Sequence, residues 1–130
     1  MTKQYLRDFR GKSAEVKQIE EQLRMMADVG PKVSRFDKIG GAGGGGSPVE
    51  LAAENLILLR ERYESILNGY IAEKLVIEQA FEALTPNERA ALRYYYFESL
   101  TWERTAEKMD KSVRYILTLH KWALIKLKEI

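Results

Sequence analysis

His120 is the only histidine in the chain, and there is no cysteine. A mononuclear metal site would therefore rest on carboxylates alone. A nucleophile–histidine–acid triad would have to take its base from the middle of a predicted helix. The sequence accordingly predicts no metal, no cofactor and no enzyme activity. His120, next to Leu119, reads as a packing residue or as one end of a tertiary hydrogen bond. The run Gly40-Gly41-Ala42-Gly43-Gly44-Gly45-Gly46 contains Gly-x-Gly-x-x-Gly at Gly41, Gly43 and Gly46. No strand pattern precedes it and no Lys-Ser/Thr follows it, so both nucleotide-loop readings fail and a flexible tether remains.

The last segment offers a different chemistry. From Lys111 to Lys128 the chain holds five basic residues, one histidine and no acid. Residues 85–130 carry nine basic and six acidic side chains, and residues 1–39 carry the same numbers. Residues 40–84 carry three basic and seven acidic ones, so the overall charge of +2 conceals an uneven distribution. A local acid-free basic stretch is the electrostatic footprint of polyanion binding. A solvated helix face with lysines complementing the helix dipole gives the same charge pattern.

The elements that would carry this stretch can be read from caps and turns. Thr85-Pro86-Asn87-Glu88 forms a capping box with proline at the first helical position. The helix it opens is expected to reach about Phe97, with Leu92 and Tyr96 inward and at least one of Tyr94, Tyr95 and Tyr96 exposed. Glu98-Ser99-Leu100 turns the chain. Thr101 caps a short helix, Trp102 to Met109, with Ala106 and Met109 inward. Asp110-Lys111 makes a tight turn, and Ser112 caps a final helix buried along Ile116, Leu119, Ala123 and Leu127.

A short helix, a tight turn and a longer basic helix make a helix-turn-helix layout. In that layout the N-terminal turns of the second helix enter the DNA major groove. Val113, Arg114, Leu117 and Thr118 are then the expected base contacts: arginine forks to guanine, while threonine and the apolar side chains meet thymine methyls. Thr101, Trp102, Lys111, Ser112, Tyr115 and Lys121 are the expected phosphate contacts, which position without specifying. Trp102 and Trp122 otherwise read as packing residues, with a partner-facing position the alternative for Trp122.

Upstream, two long helices are expected. In residues 2–29, Phe9, Val16 and Leu23 recur every seven residues with Tyr5, Ile19 and Met26 on the companion series, and Lys12 breaks the seam. Gly30-Pro31 is expected to end this helix. A second helix, opened by Ser47-Pro48, carries Val49, Leu56, Tyr63, Tyr70, Ile77 and Leu84 at sevenfold spacing, with Glu73 breaking its other seam. The expected fold is all-α: a long coiled-coil helical hairpin over residues 1–84, with a Gly-rich linker at 30–47, then a helix-turn-helix of about three helices over 85–130. Two thin helices make a poor core alone. Leu56, Leu59, Tyr63, Ile66, Tyr70 and Ile77 are therefore expected to serve a homodimer or larger assembly. The chain has no long apolar run and no signal-peptide pattern at its start, so a cytoplasmic location and no membrane partner are expected.

Leu84-Thr85-Pro86-Asn87-Glu88-Arg89, Leu92, Tyr96, Thr101-Trp102-Glu103, Ala106-Glu107, Ser112, Ala123-Leu124 and Lys126-Leu127-Lys128 resemble region 4 of bacterial sigma factors over about the last 47 residues. Ser112 to Ile116 with Leu119-His120 and Ala123-Leu124 also resemble sigma-like phage late-gene transcription activators of the RinA and ArpU type. The resemblance implies double-stranded DNA as the partner, transcription regulation as the role and RNA polymerase as a second candidate partner. Val113 and Leu117 are apolar where sigma factors are usually polar, so the same promoter element is not the expected target. Thr105 stands where the family usually has isoleucine. The alternative is a coiled-coil adaptor that binds RNA polymerase or another regulator, favoured by those apolar residues and opposed by the acid-free run.

Overall fold

The computed structural model describes residues 1–39 and 48–129, with side chains in the first stretch described through residue 27. The described residues are all-α. Helix α1 spans Lys3–Ile39 and α2 spans Pro48–Ala80, followed by a 3-10 turn at Phe81–Ala83. Helix α3 spans Pro86–Leu92, α4 spans Trp102–Met109 and α5 spans Val113–Leu127. The glycine run 40–46 and the Ser47 cap lie outside the described residues.

The expected stop at Gly30-Pro31 is overturned, because α1 continues through both to Ile39. Proline removes one backbone hydrogen bond and crowds the preceding turn, which kinks or weakens a helix without forbidding it. No further glycine or proline follows until Gly40.

The chain divides into two compact units, Met1–Glu15 with Tyr70–Ile130, and Val16–Gly69. These divisions differ from the sequence boundary at 84/85, because the start of α1 and the end of α2 belong to the core of the C-terminal helices. Leu6 and Phe9 join Ile77, Phe81, Leu84, Leu92, Tyr96, Phe97, Ala123 and Leu127 in one buried cluster. A second cluster joins Ala91, Ala106, Ile116 and Leu119. Phe9 stacks on Tyr70 at 4.8 Å between ring centres and meets Phe97 edge-on at 5.5 Å. The Ser13 and Tyr70 hydroxyls hydrogen-bond at 2.9 Å. Tyr5, expected in the seam, is exposed, and its neighbour Leu6 is fully buried instead. The seam reading was therefore one residue out at the start of α1.

In the other unit, Val16, Ile19 and Met26 are buried along α1, while Leu56, Tyr63 and Ile66 of α2 are half-buried. Leu51, Ile57, Leu58 and Leu59 remain exposed.

Candidate nucleic-acid interface

Three local caps set the helices of the C-terminal segment. Thr85 Oγ1 accepts from the Glu88 backbone N–H at 3.3 Å, and Glu88 Oε1 accepts from the Thr85 N–H at 3.0 Å. The Thr101 hydroxyl accepts from Arg104 N–H at 3.1 Å, and the Ser112 hydroxyl accepts from Tyr115 N–H at 3.1 Å. Each cap satisfies a backbone donor that the first helical turn leaves free. Between α4 and α5, Asp110 takes a left-handed conformation with φ 54°. Lys111 N–H then donates back to the Ala106 carbonyl at 3.0 Å, so three residues reverse the chain.

Helix α3 runs on into a wider π-type turn at Arg93–Phe97, where Glu98 N–H donates to the Arg93 carbonyl at 3.1 Å. Buried Tyr96 faces one side of this turn, while Tyr94 and Tyr95 are half-buried, so none of the three is fully exposed. Ser99 follows with φ 57°, an uncommon conformation for a residue other than glycine. Arg10 of α1 holds this bend. Its guanidinium donates to the carbonyls of Tyr95 at 3.0 Å, Ser99 at 3.2 Å and Leu100 at 2.9 Å. It also lies 4.2 Å from the centre of the Tyr95 ring. Tyr95 stacks on Trp102 at 3.6 Å, and Trp102 meets the His120 ring at 4.6 Å. The ring of Trp102 is thus a packing group, as expected.

The face of α5 away from the core carries Arg114, Leu117, Thr118 and Lys121, all exposed. Opposite them, Ile116, Leu119, Ala123 and Leu127 are buried, as the stripe predicts. Val113 does not stand on the exposed face. It is half-buried and packs against the Ala91–Ala106–Ile116–Leu119 cluster, so part of its surface faces the chain's own core. The Thr118 hydroxyl donates to the Arg114 carbonyl at 3.0 Å. Its proton is therefore used, leaving an acceptor and a methyl for a base edge. Lys111 Nζ sits 5.8 Å from the centre of the Tyr115 ring, near the outer reach of a cation–π contact.

On α4, Ala106 is buried and half-buried Met109 packs against its cluster, as expected, while Thr105, outside that expected set, is fully buried beside Ala106. The Thr105 hydroxyl has no hydrogen-bond partner among the described residues. Trp122 is 56% exposed, against the packing reading and in keeping with its alternative, and Leu117 and Ile125 are 45% and 48% exposed. Of the residues expected to serve assembly, Ile77 is fully buried in the chain's own core and Tyr70 packs against it. Leu56, Tyr63 and Ile66 are half-buried, and only Leu59 is exposed.

Sequence reasoning missed two charged positions. Lys126 Nζ pairs with buried Glu88 Oε1 at 2.6 Å, joining the end of α5 to the start of α3. Burial alone would raise the Glu88 pKa, but the bonds from Lys126 and Thr85 outweigh it and hold the carboxyl below its usual range. Lys126 is therefore held in an ion pair within the chain. Arg10 was the other, and no local pattern marks it.

Among the described residues no group of three or more histidine, aspartate or glutamate side chains is placed to hold a metal ion. No described helix is long and apolar enough to cross a membrane.

Comparison with known families supplies the context for this geometry. Residues 80–129 match the family model for sigma-70, region 4. This segment is a DNA-binding helix-turn-helix of the kind used in transcription. The match takes in the 3-10 turn at Phe81–Ala83 and all of α3, α4 and α5. No curated protein and no solved structure matches the chain.

Proposed function

We propose that the chain is a non-catalytic, sequence-specific regulator of transcription that reads double-stranded DNA through α5. One observation carries the reading: within the sigma region 4 segment, the capped start of α5 presents Arg114, Leu117 and Thr118 to solvent, opposite a fully packed stripe. Arg114 supplies the hydrogen-bond fork, Thr118 an acceptor and a methyl, and Leu117 an apolar surface for thymine. Lys111, Ser112, Tyr115, Lys121 and the backbone at Thr101 and Trp102 position the helix on phosphates. Apolar Leu117 suits a target other than the usual sigma promoter element. A phage or prophage origin, action in the cytoplasm and contact with RNA polymerase complete the proposal. Association into a dimer or larger species is supported by the exposed apolar Leu51, Ile57, Leu58 and Leu59 on α2.

The test is selection of bound sites from random duplex DNA, followed by titration of the enriched site at several salt concentrations. A defined site and an affinity that falls steeply with salt are expected. Absence of both favours the second reading, a protein-binding adaptor, which the exposure of Leu117, Trp122 and Ile125 supports.

A further inference from the structure

Lys3, Lys121 and Lys128 line one cavity of about 320 Å3 with His120, Leu124 and Ile125. Lys3 comes from the first turn of α1, outside the segment that matches sigma region 4. The Met1 ammonium donates to the Leu127 carbonyl at 3.3 Å, so the start of α1 is fastened to the end of α5. No acidic side chain lines the cavity. The salt bridges among the described residues use Lys12, Arg93, Arg104 and Lys126, and none uses Lys3, Lys121 or Lys128. Three lysine side chains thus line one cavity whose lining holds no acidic side chain, which concentrates positive potential and favours an anion.

The helix face that carries two of these lysines points to the kind of anion. Arg114, Lys121 and Lys128 are spaced by seven and so follow one face of α5. A helix whose first turns lie in the major groove can pass over the sugar–phosphate backbone by its C-terminal end, as homeodomain reading helices do. We propose that Lys3, Lys121 and Lys128 form a clamp on neighbouring backbone phosphates of the bound duplex, which extends the DNA footprint to the N-terminal helix. The proposal rests on the DNA-binding reading above. An acidic protein segment would meet the same charges, but the alignment with Arg114 on the DNA-facing side favours the duplex.

Fluorescence anisotropy on the selected duplex and its single-base variants, at ~50 and ~200 mM salt, tests the clamp. Lys3→Ala and Lys128→Ala should each weaken all duplexes by the same factor and leave base preference unchanged. Losing one phosphate contact should also shrink the ratio of the two affinities about 3.5-fold relative to the unaltered chain. Lys3→Arg should restore the ratio, and a loss that it does not restore, despite an intact helical circular-dichroism spectrum, overturns the proposal. Lys12→Ala, whose ammonium already pairs with Glu73, should leave the ratio alone. An unchanged ratio in Lys3→Ala and Lys128→Ala, with steep binding by the unaltered chain, overturns the clamp and spares the DNA reading. No DNA binding by the unaltered chain overturns both. Loss of binding to a polyglutamate probe with DNA binding intact assigns the site to acidic protein and overturns the clamp.

Discussion

The Tyr96 hydroxyl lies 2.6 Å from Nε2 of His120, joining the π-type turn after α3 to the middle of α5. Burial holds the Tyr96 phenol protonated well above its usual pKa, and burial pushes His120 down to about 4, helped by the positive charge of Lys3 and Arg7. Both partners are neutral near pH 7. In the unfolded chain a histidine takes up its proton near pH ~6.5, whereas folded His120 does so only near 4. The unfolded state therefore binds more protons in this window. Stability from this group is complete above pH ~6.5 and is lost as the pH falls towards 4, by up to ~3 kcal/mol. Glu78 and Glu88, with lowered pKa values, add their losses at more acidic pH. Because His120 is the only histidine, the fall between pH ~6.5 and ~5 should belong to it. Urea midpoints at pH 7, 6 and 5 should drop in the unaltered protein and flatten in His120→Gln; a constant midpoint in the unaltered protein contradicts this.

Arg10 fastens the bend that separates α3 from α4. Arg10→Ala removes three charge-assisted hydrogen bonds to the Tyr95, Ser99 and Leu100 carbonyls and the contact over Tyr95. Bonds to charged groups each contribute about 1.5–3 kcal/mol, and the bend is partly open to water, so a total loss of ~2–3 kcal/mol is expected. Chemical denaturation measures it. A change below ~0.5 kcal/mol, the range of an ordinary surface substitution, would show that Arg10 does not stabilise the bend.

Much of the C-terminal architecture was legible because its signals are local. Thr85, Thr101 and Ser112 cap helices through bonds three residues long, and the Ile116–Leu127 stripe follows from helical period. The remainder depends on tertiary contact. Lys12 and Glu73 each read as a flaw in an apolar seam, yet they pair at 2.9 Å, a match visible only once the helices are placed. Leu6 replaces Tyr5 in the core by a one-residue difference that period alone cannot resolve across Gly11 and Lys12. Arg10 carries no sequence signature, since its partners are backbone carbonyls. Val113 lies close to the buried edge of its helix, where neighbours rather than spacing decide its side.

Thr105 is fully buried with an unpartnered hydroxyl. Thr105→Val keeps the shape and removes the uncompensated polar group, so it should stabilise the fold by ~1–2 kcal/mol. A higher denaturation midpoint with unchanged slope is the expected record. Destabilisation by a similar amount would mean that the hydroxyl is satisfied in solution.

Assembly is tested by sedimentation at micromolar concentration. The unaltered chain should sediment as a dimer or larger species. Ile57→Lys combined with Leu58→Lys alters two exposed side chains and should give a monomer with its helical content intact. A monomeric mass for the unaltered chain removes self-association from the account.

The central claim is that α5 reads bases through Arg114. The direct measurement is the affinity of Arg114→Ala for the selected site and every single-base variant, beside the unaltered chain. Arg114→Ala should lose ~1–3 kcal/mol on the best site and lose its discrimination at one base pair. Thr118→Ala should show a milder form of the same pattern. If Arg114→Ala weakens every duplex equally and keeps all base preferences, Arg114 touches phosphate and this face of α5 does not read the sequence.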